Sequence, residues 1–181
     1  FANKQDLTND QTAAWKTEIG LLKGAINKIP NAYIFFEFAI PRMGKRADAV
    51  VIYRGAIMVI EFKIGSDTYD STAIDQALDY ALDLKNFHLG SHDWPIVPIL
   101  VCTNAKGRTV DLCAGEQCVY DPLFANAETL GSVLALAATA SLDSTIDPQR
   151  WATSIYAPTP TIIEAAQALY SHHSVADISR S

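Results

Sequence analysis

The sequence predicts an α/β fold, a mixed central sheet flanked by helices. Three observations carry that expectation. A helix-periodic segment opens the chain, and three segments rich in aromatic and β-branched residues follow it in close succession. A long helical segment without glycine or proline then leads to one more apolar strand. The chain has 181 residues, 49% hydrophobic and 19% charged, enough for one domain with a sizeable buried core. Such a composition excludes disorder, collagen and a disulfide-stapled miniprotein.

Each element has its own signal. In residues 8–28, Trp15, Ile19, Leu22 and Ile26 recur at helical spacing; Thr8, Asn9 or Asp10 can cap the start, and Pro30-Asn31 ends it. Residues 33–40 read as a strand closed by Pro41, and residues 42–45 as a basic turn containing Gly44. Residues 48–53 and 56–62 are two more strands around a tight hairpin at Arg54-Gly55. Residues 70–87 form the long helix, on which Asp79 and Asp83 read as a solvated face, and 95–102 form a buried strand ending at Cys102, a core thiol. Val119-Tyr120 is a candidate short strand. Residues 127–140 read as an Ala/Leu-rich helix, 151–160 as an irregular segment, and 161–171 as a last helix capped by Thr161 before Glu164. A polar exit follows over 171–181.

Charge is uneven along this order. The net charge is -6, which excludes a surface that is basic throughout. Between Lys16 and Lys63, however, eight basic residues face four acidic ones, and after Arg108 two face eight. A basic front half suits a one-sided anion-binding face; an unevenly decorated soluble domain is the competing account. No apolar run approaches the roughly 18 residues of a membrane span. Phe1-Ala2-Asn3-Lys4 opens with no secretory apolar core. Cys102, Cys113 and Cys118 form no paired motif and read as reduced thiols. His88 and His92 lack the further ligands of a zinc site. The expected location is the cytoplasm.

The chemistry concentrates between Arg46 and Lys63. A two-residue turn at Arg54-Gly55 sets Tyr53 opposite Ala56, Asp48 opposite Glu61 and Arg46 opposite Lys63, all four charged side chains on one face. Directly opposed residues hold their β-carbons about 5 Å apart. Two carboxylates among Val50, Val59, Ile60 and Phe62 are half buried and costly unless protonated, bridged or neutralised by a cation. Hard oxygen donors suit Mg²⁺ or Mn²⁺. Lys63 lands beside them, able to orient or deprotonate an attacking water and to stabilise charge on a phosphate. A salt-bridged strand edge is the competing account of the same charges. Arg42, Lys45 and Arg46 can grip phosphates, or form a plain solvated turn. Glu37 can hydrogen-bond Arg42 or Arg46.

An acid on one strand, Glu61-Phe62-Lys63 ending the next, and a helix after it resemble the core of the PD-(D/E)XK nuclease superfamily. Asp48 takes the place of the first motif acid, with Ala47 where many members have proline. Gln76 and Tyr80 resemble the Gln-x-x-x-Tyr signature of RecB-like members, and Glu18 occupies a position where some members place a further metal-site acid; a core tyrosine, a surface glutamine and a helix-surface glutamate are the competing accounts. Longer stretches are similar to bacterial nuclease-like domains that precede a Schlafen-like superfamily 1 helicase. These are Phe36-Glu37-Phe38, residues 40–48, residues 75–88 and residues 156–164. The absence of a Gly-x-x-x-x-Gly-Lys-Ser/Thr motif excludes the motor itself from this chain.

That resemblance implies a restriction-endonuclease-like core over residues 1–150, and an extension over 151–181 leading toward a helicase. It implies an Mg²⁺- or Mn²⁺-dependent endonuclease acting on DNA, with RNA not excluded, in genome maintenance or defence against foreign DNA. Asp48 and Glu61 then hold metal with the Phe62 carbonyl and Glu18; Lys63 and Gln76 serve the water or a phosphate oxygen; Tyr80 buttresses the site beside the nucleic acid. A catalytically inactive module of the same fold, binding nucleic acid or bracing the helicase, is the alternative. The acidic rear half is expected to meet the helicase or a second copy of the chain, giving a homo-oligomer.

Overall fold

A computed structural model describes residues 4–178, with side chains over residues 11–167, 169 and 170. Helix α1 spans Lys4–Ala25 and tightens into a 3₁₀ turn, Ile26–Lys28. It begins upstream of Thr8, Asn9 and Asp10, so none of these is its first residue, and their side chains lie outside the described ones. Strand β1 follows at Tyr33–Ile40, β2 at Lys45–Tyr53 and β3 at Ala56–Lys63. Helix α2 covers Ser71–Phe87. Its N-cap, Asp70, accepts the Ala73 N–H at 2.9 Å, as a short acidic side chain before a helix should. Strand β4 is Ile96–Cys102, buried at every position, and β5 is Leu123–Ala125.

Helix α3 runs only over Leu130–Ala137, with a 3₁₀ turn to Ala140. The predicted helix began at residue 127, but Asn126 Oδ1 accepts the Glu128 and Thr129 N–H groups and holds 127–129 in a turn. The fifth strand lies beyond the expected one: Val119 makes a single bridge to Ile96, and Leu123–Ala125 pairs properly with β4. Inside the segment read as irregular, Trp151 belongs to α4, Pro148–Ala152, and is 2% exposed. Helix α5 starts at Pro160, the residue before the expected cap, and runs to Ile178. The polar exit expected over 171–181 is therefore helical as far as it is described.

The sheet order is β1-β2-β3-β4-β5, antiparallel among the first three strands and parallel from β3 onward. The helical crossover through α2 makes the parallel β3–β4 pair possible. Side chains alternate between two cores. On one face Leu22 of α1 and Leu134 of α3 cover Ala49, Val51, Met58, Ile60 and Phe62. On the other, Tyr80, Ala81 and Leu84 of α2 cover Val50, Ile52, Ile57 and Val59, with Trp151 completing that core. Glu61 and Lys63 continue the second set by the same alternation, whereas at Asp48 it breaks, since Ala47 joins the same core as Val50. A polar knot fixes Trp151: the Ser91 hydroxyl accepts its indole N–H at 2.9 Å and bonds His88 Nδ1 at 2.7 Å. The Tyr156 strand-like segment pairs with His88, so packing continues past residue 150. Among the described residues, no helix is long and apolar enough to cross a membrane.

Candidate active site

The expected hairpin register is present. Tyr53 pairs with Ala56 and Ala49 with Ile60, which directs Asp48 at Glu61. The ladder stops there. Phe62 N–H bonds instead to Asp48 Oδ2, at 2.7 Å, so a carboxylate replaces the carbonyl that a continued strand would offer. On the other side of β2, the pairing with β1 also skips Asp48, and Glu37 opposite it holds φ +50°. A left-handed glutamate inside a strand marks a local break in the sheet. Both ladders thus open at one residue, and Asp48 occupies the opening. In a strand a residue's N–H and C=O point to the same side, so the Phe62 carbonyl faces Asp48 as well.

Around Glu61 the polar contacts converge on one oxygen. Lys63 Nζ donates to Glu61 Oε1 at 2.9 Å, and Gln76 Nε2 donates to the same atom at 2.8 Å. Lys63 also donates to Gln76 Oε1 at 3.1 Å, and Gln76 Nε2 to the Tyr80 hydroxyl at 2.8 Å. The four-residue spacing of Gln76 and Tyr80 places both on the inner face of α2. Tyr80 is a buried aromatic that also reaches the polar cluster, so its two readings hold together. The other oxygen, Glu61 Oε2, is buried and has no hydrogen-bond partner. An unpaired buried carboxylate oxygen is costly unless the group is protonated or something supplies positive charge.

The electrostatics repeat that conflict. Burial, then the charge of Asp48, pushes Glu61 up to about 7 against the pull of Lys63. Asp48 is also raised, by burial, although the Phe62 N–H and Lys63 oppose the rise. The charge of Asp48 raises Glu61, which places the two carboxylates within electrostatic reach of one another. Glu18 is pushed up to about 7 by burial, by Asp48 and by Glu37. Burial alone lowers the Lys63 ammonium, but its bond to Glu61 and the nearby carboxylates outweigh that and hold it above the usual lysine value. Lys63 is a fixed cation here.

No family model matches this chain. No curated protein and no solved structure matches it either. The site's own geometry therefore carries the reading of its residues.

Glu18 comes to the Asp48 side of the site, close enough to be raised by it. Among the described residues, no group of three or more His, Cys, Asp or Glu side chains is arranged to hold a metal. The expectation that Arg46 lies beside Lys63 fails, because the β2–β3 ladder ends at Ala49. Arg46 pairs with Ala39 on β1 and reaches Glu37 Oε2 at 3.6 Å. Lys45 is exposed at the start of β2. Arg42 Nε bonds Asp83 Oδ2 at 2.6 Å, and its guanidinium lies 4.1 Å over the Phe87 ring. Asp83 is thus a buried partner of Arg42 and not part of a solvated face. Its spacing gives the signal: residues 76, 80, 83 and 87 follow one helical stripe. Trp15 departs from its expected place too. It is 46% exposed, because it lies beside edge strand β1 and donates to Glu37 Oε1 at 3.0 Å.

Proposed function

We propose that the chain is a metal-dependent phosphodiester hydrolase of the PD-(D/E)XK kind, with a restriction-endonuclease-like core formed by α1, β1–β3, α2 and β4. The observation that carries this reading is the buried Glu61 set against the half-buried Asp48, with Glu61 Oε2 unpartnered and Lys63 held beside it. A divalent cation fits this donor set. Two carboxylates and the Phe62 carbonyl are hard oxygen donors, and Mg²⁺ commonly takes one or two carboxylates and completes its shell with water and substrate phosphate. Bound there, Mg²⁺ or Mn²⁺ lowers the pKa of a coordinated water and offsets charge on the phosphoryl oxygens. Asp48, Glu61 and the Phe62 carbonyl hold the ion, and Glu18 adds negative charge behind Asp48.

Lys63, kept protonated by Glu61, donates hydrogen bonds. Its role is to orient water and stabilise a developing phosphate charge, in preference to taking a proton. Gln76 holds Lys63 and Glu61 in one plane of contacts, and the buried Tyr80 fixes Gln76. Lys45 and Arg46 offer exposed charge for the polynucleotide backbone, whereas Arg42 is already engaged by Asp83. The substrate is DNA in this reading, fed by a helicase in the same polypeptide, in genome maintenance or defence.

The test is direct. Plasmid, single-stranded DNA and RNA are incubated with Mg²⁺ or Mn²⁺ and the parent, Asp48→Ala or Lys63→Ala. The parent cuts, and each substitution lowers the rate at least about a hundredfold. Binding without cutting by the parent would point to the inactive module, and neither activity to a structural domain.

A further inference from the structure

An apolar slot adjoins the carboxylates, and its aromatic walls have no part in the hydrolytic chemistry. It encloses about 170 Å³ and is lined by Trp15, Glu18, Ile19, Phe36, Glu37 and Asp48. Trp15 and Phe36 are 46% and 39% exposed. Among the described residues, neither ring packs on another aromatic ring. The indole is nonetheless held in place: its N–H is bonded to Glu37, and Glu37 is paired with Arg46. Glu37 keeps this position at the cost of φ +50°. The sheet break that frees Asp48 therefore also fixes an exposed aromatic wall next to it.

We infer that the slot takes one unpaired nucleobase of the strand whose phosphate lies at Asp48 and Glu61, so that the substrate is a single-stranded or splayed polynucleotide. This rests on the phosphodiesterase reading and narrows its substrate class. Asp48 belongs to both the slot and the carboxylate pair, so an occupant of the slot adjoins the reacting phosphate. Aromatic side chains stack on any base, which gives binding without sequence preference. A base inside a duplex is covered on both faces and must leave the stack before it can enter a slot. Among the described residues Glu18 makes no hydrogen bond, and its carboxylate can accept one from a base N–H. Arg46, on the Glu37 side, supplies a cation for the phosphate backbone.

The experiment titrates the full chain, in EDTA, with a labelled single-stranded oligonucleotide or the duplex of the same sequence. Anisotropy reads affinity and tryptophan emission reads stacking. The single strand quenches emission of the parent, and Trp15→Phe loses that quenching while retaining affinity. Trp15→Ala and Phe36→Ala weaken single-strand binding about five- to a hundredfold, and leave the weaker duplex binding unchanged. Equal single-strand affinity in the parent and both alanine variants overturns the inference, as does preference for the duplex. Retained affinity of Trp15→Phe separates stacking from misfolding. The two readings also fail separately. Stacking without cleavage in Mg²⁺ or Mn²⁺ keeps the slot and removes the nuclease. Duplex cleavage that Trp15→Ala leaves intact keeps the nuclease and removes the slot.

Discussion

Replacing Glu61 by glutamine tests the charge conflict at the site. The side chain keeps its volume, and an amide oxygen can still accept from Lys63 and Gln76. What disappears is ionisation. Glu61 sits at about 7 in the folded chain against an ordinary 4.5, through burial and the charge of Asp48. That difference corresponds to about 3 kcal/mol. Between these two values the folded protein holds a proton that the unfolded chain has released, so stability falls as pH rises through the window. Below 4.5 both states are protonated and nothing is lost; above 7 both are ionised and the full penalty stands. The parent therefore loses up to about 3 kcal/mol between pH 5 and pH 8 from this group, or about 6–12 °C in melting temperature for a chain of this size. Glu61→Gln lacks this component. Glu18 titrates in the same window and leaves a common slope in both proteins. Urea melts at four pH values, compared as parent minus variant, cancel the Glu18 slope and read Glu61 together with its coupling to Asp48. At pH 8 a divalent ion at a hundred times its dissociation constant stabilises the parent by about 2.7 kcal/mol and the variant much less. Parallel pH profiles, together with equal responses to Mn²⁺, would refute the reasoning.

Two other substitutions probe the frame that holds the site. Arg42→Ala strands the carboxylate of Asp83, whose side chain is 1% exposed. Removing one partner of a buried pair costs about 3–5 kcal/mol, and the half-exposed guanidinium puts the expected loss near about 3. Adding Asp83→Asn recovers most of it in urea melts, whereas an undamaged Arg42→Ala would show the pair to be idle. Gly55→Ala attacks the hairpin: its β-carbon would collide with the Ser144 carbonyl oxygen and lie 3.0 Å from Leu142 N and O. A loss of about 2 kcal/mol or more and a lower rate of cutting should appear together, because the turn sets the Asp48–Glu61 register. Full stability in that variant would show that the 142–144 segment yields freely.

The parts legible in the sequence were those fixed by short-range rules. A two-residue connection at Arg54-Gly55 leaves one register, and the paired positions follow from it as far as Ala49 and Ile60. Gln76 and Tyr80 were readable as a helical pair, and their hydrogen bond realises it. Long-range effects escaped the reading. Nothing local announces that the β2–β3 ladder stops short of Asp48, where the carboxylate takes the Phe62 N–H and Glu37 of the neighbouring strand turns to positive φ. Arg46 was misplaced for this reason: a continued ladder brings it to Lys63, and the broken one leaves it with Glu37. Trp15 obeys the helical period but sits over an edge strand, where the same apolar stripe runs out of sheet to cover. Val119-Tyr120 is the candidate short strand in the sequence, but Leu123–Ala125 is the segment that pairs with β4, where the chain returns beside it.

The sheet's topology explains why the acids meet where they do. Strands β3 and β4 run parallel, so their carboxyl ends lie together, and antiparallel β2 brings its beginning to the same end. Glu61 and Lys63 close β3 just before the chain leaves for α2, and Asp48 lies near the start of β2. A fold selected only for stability has every reason to place apolar residues there, as it does at the neighbouring Val50, Val59 and Ile60. It holds instead the buried Glu61 and Glu18, the half-buried Asp48 between them and one ammonium. Local rules broken at one point, inside a core that obeys them around it, are the pattern expected of a functional or strained site, and the proposed reading takes it as functional. Lys63 offsets only one of the charges, and in the proposed reading a divalent cation or protonation of the raised carboxyls offsets the rest.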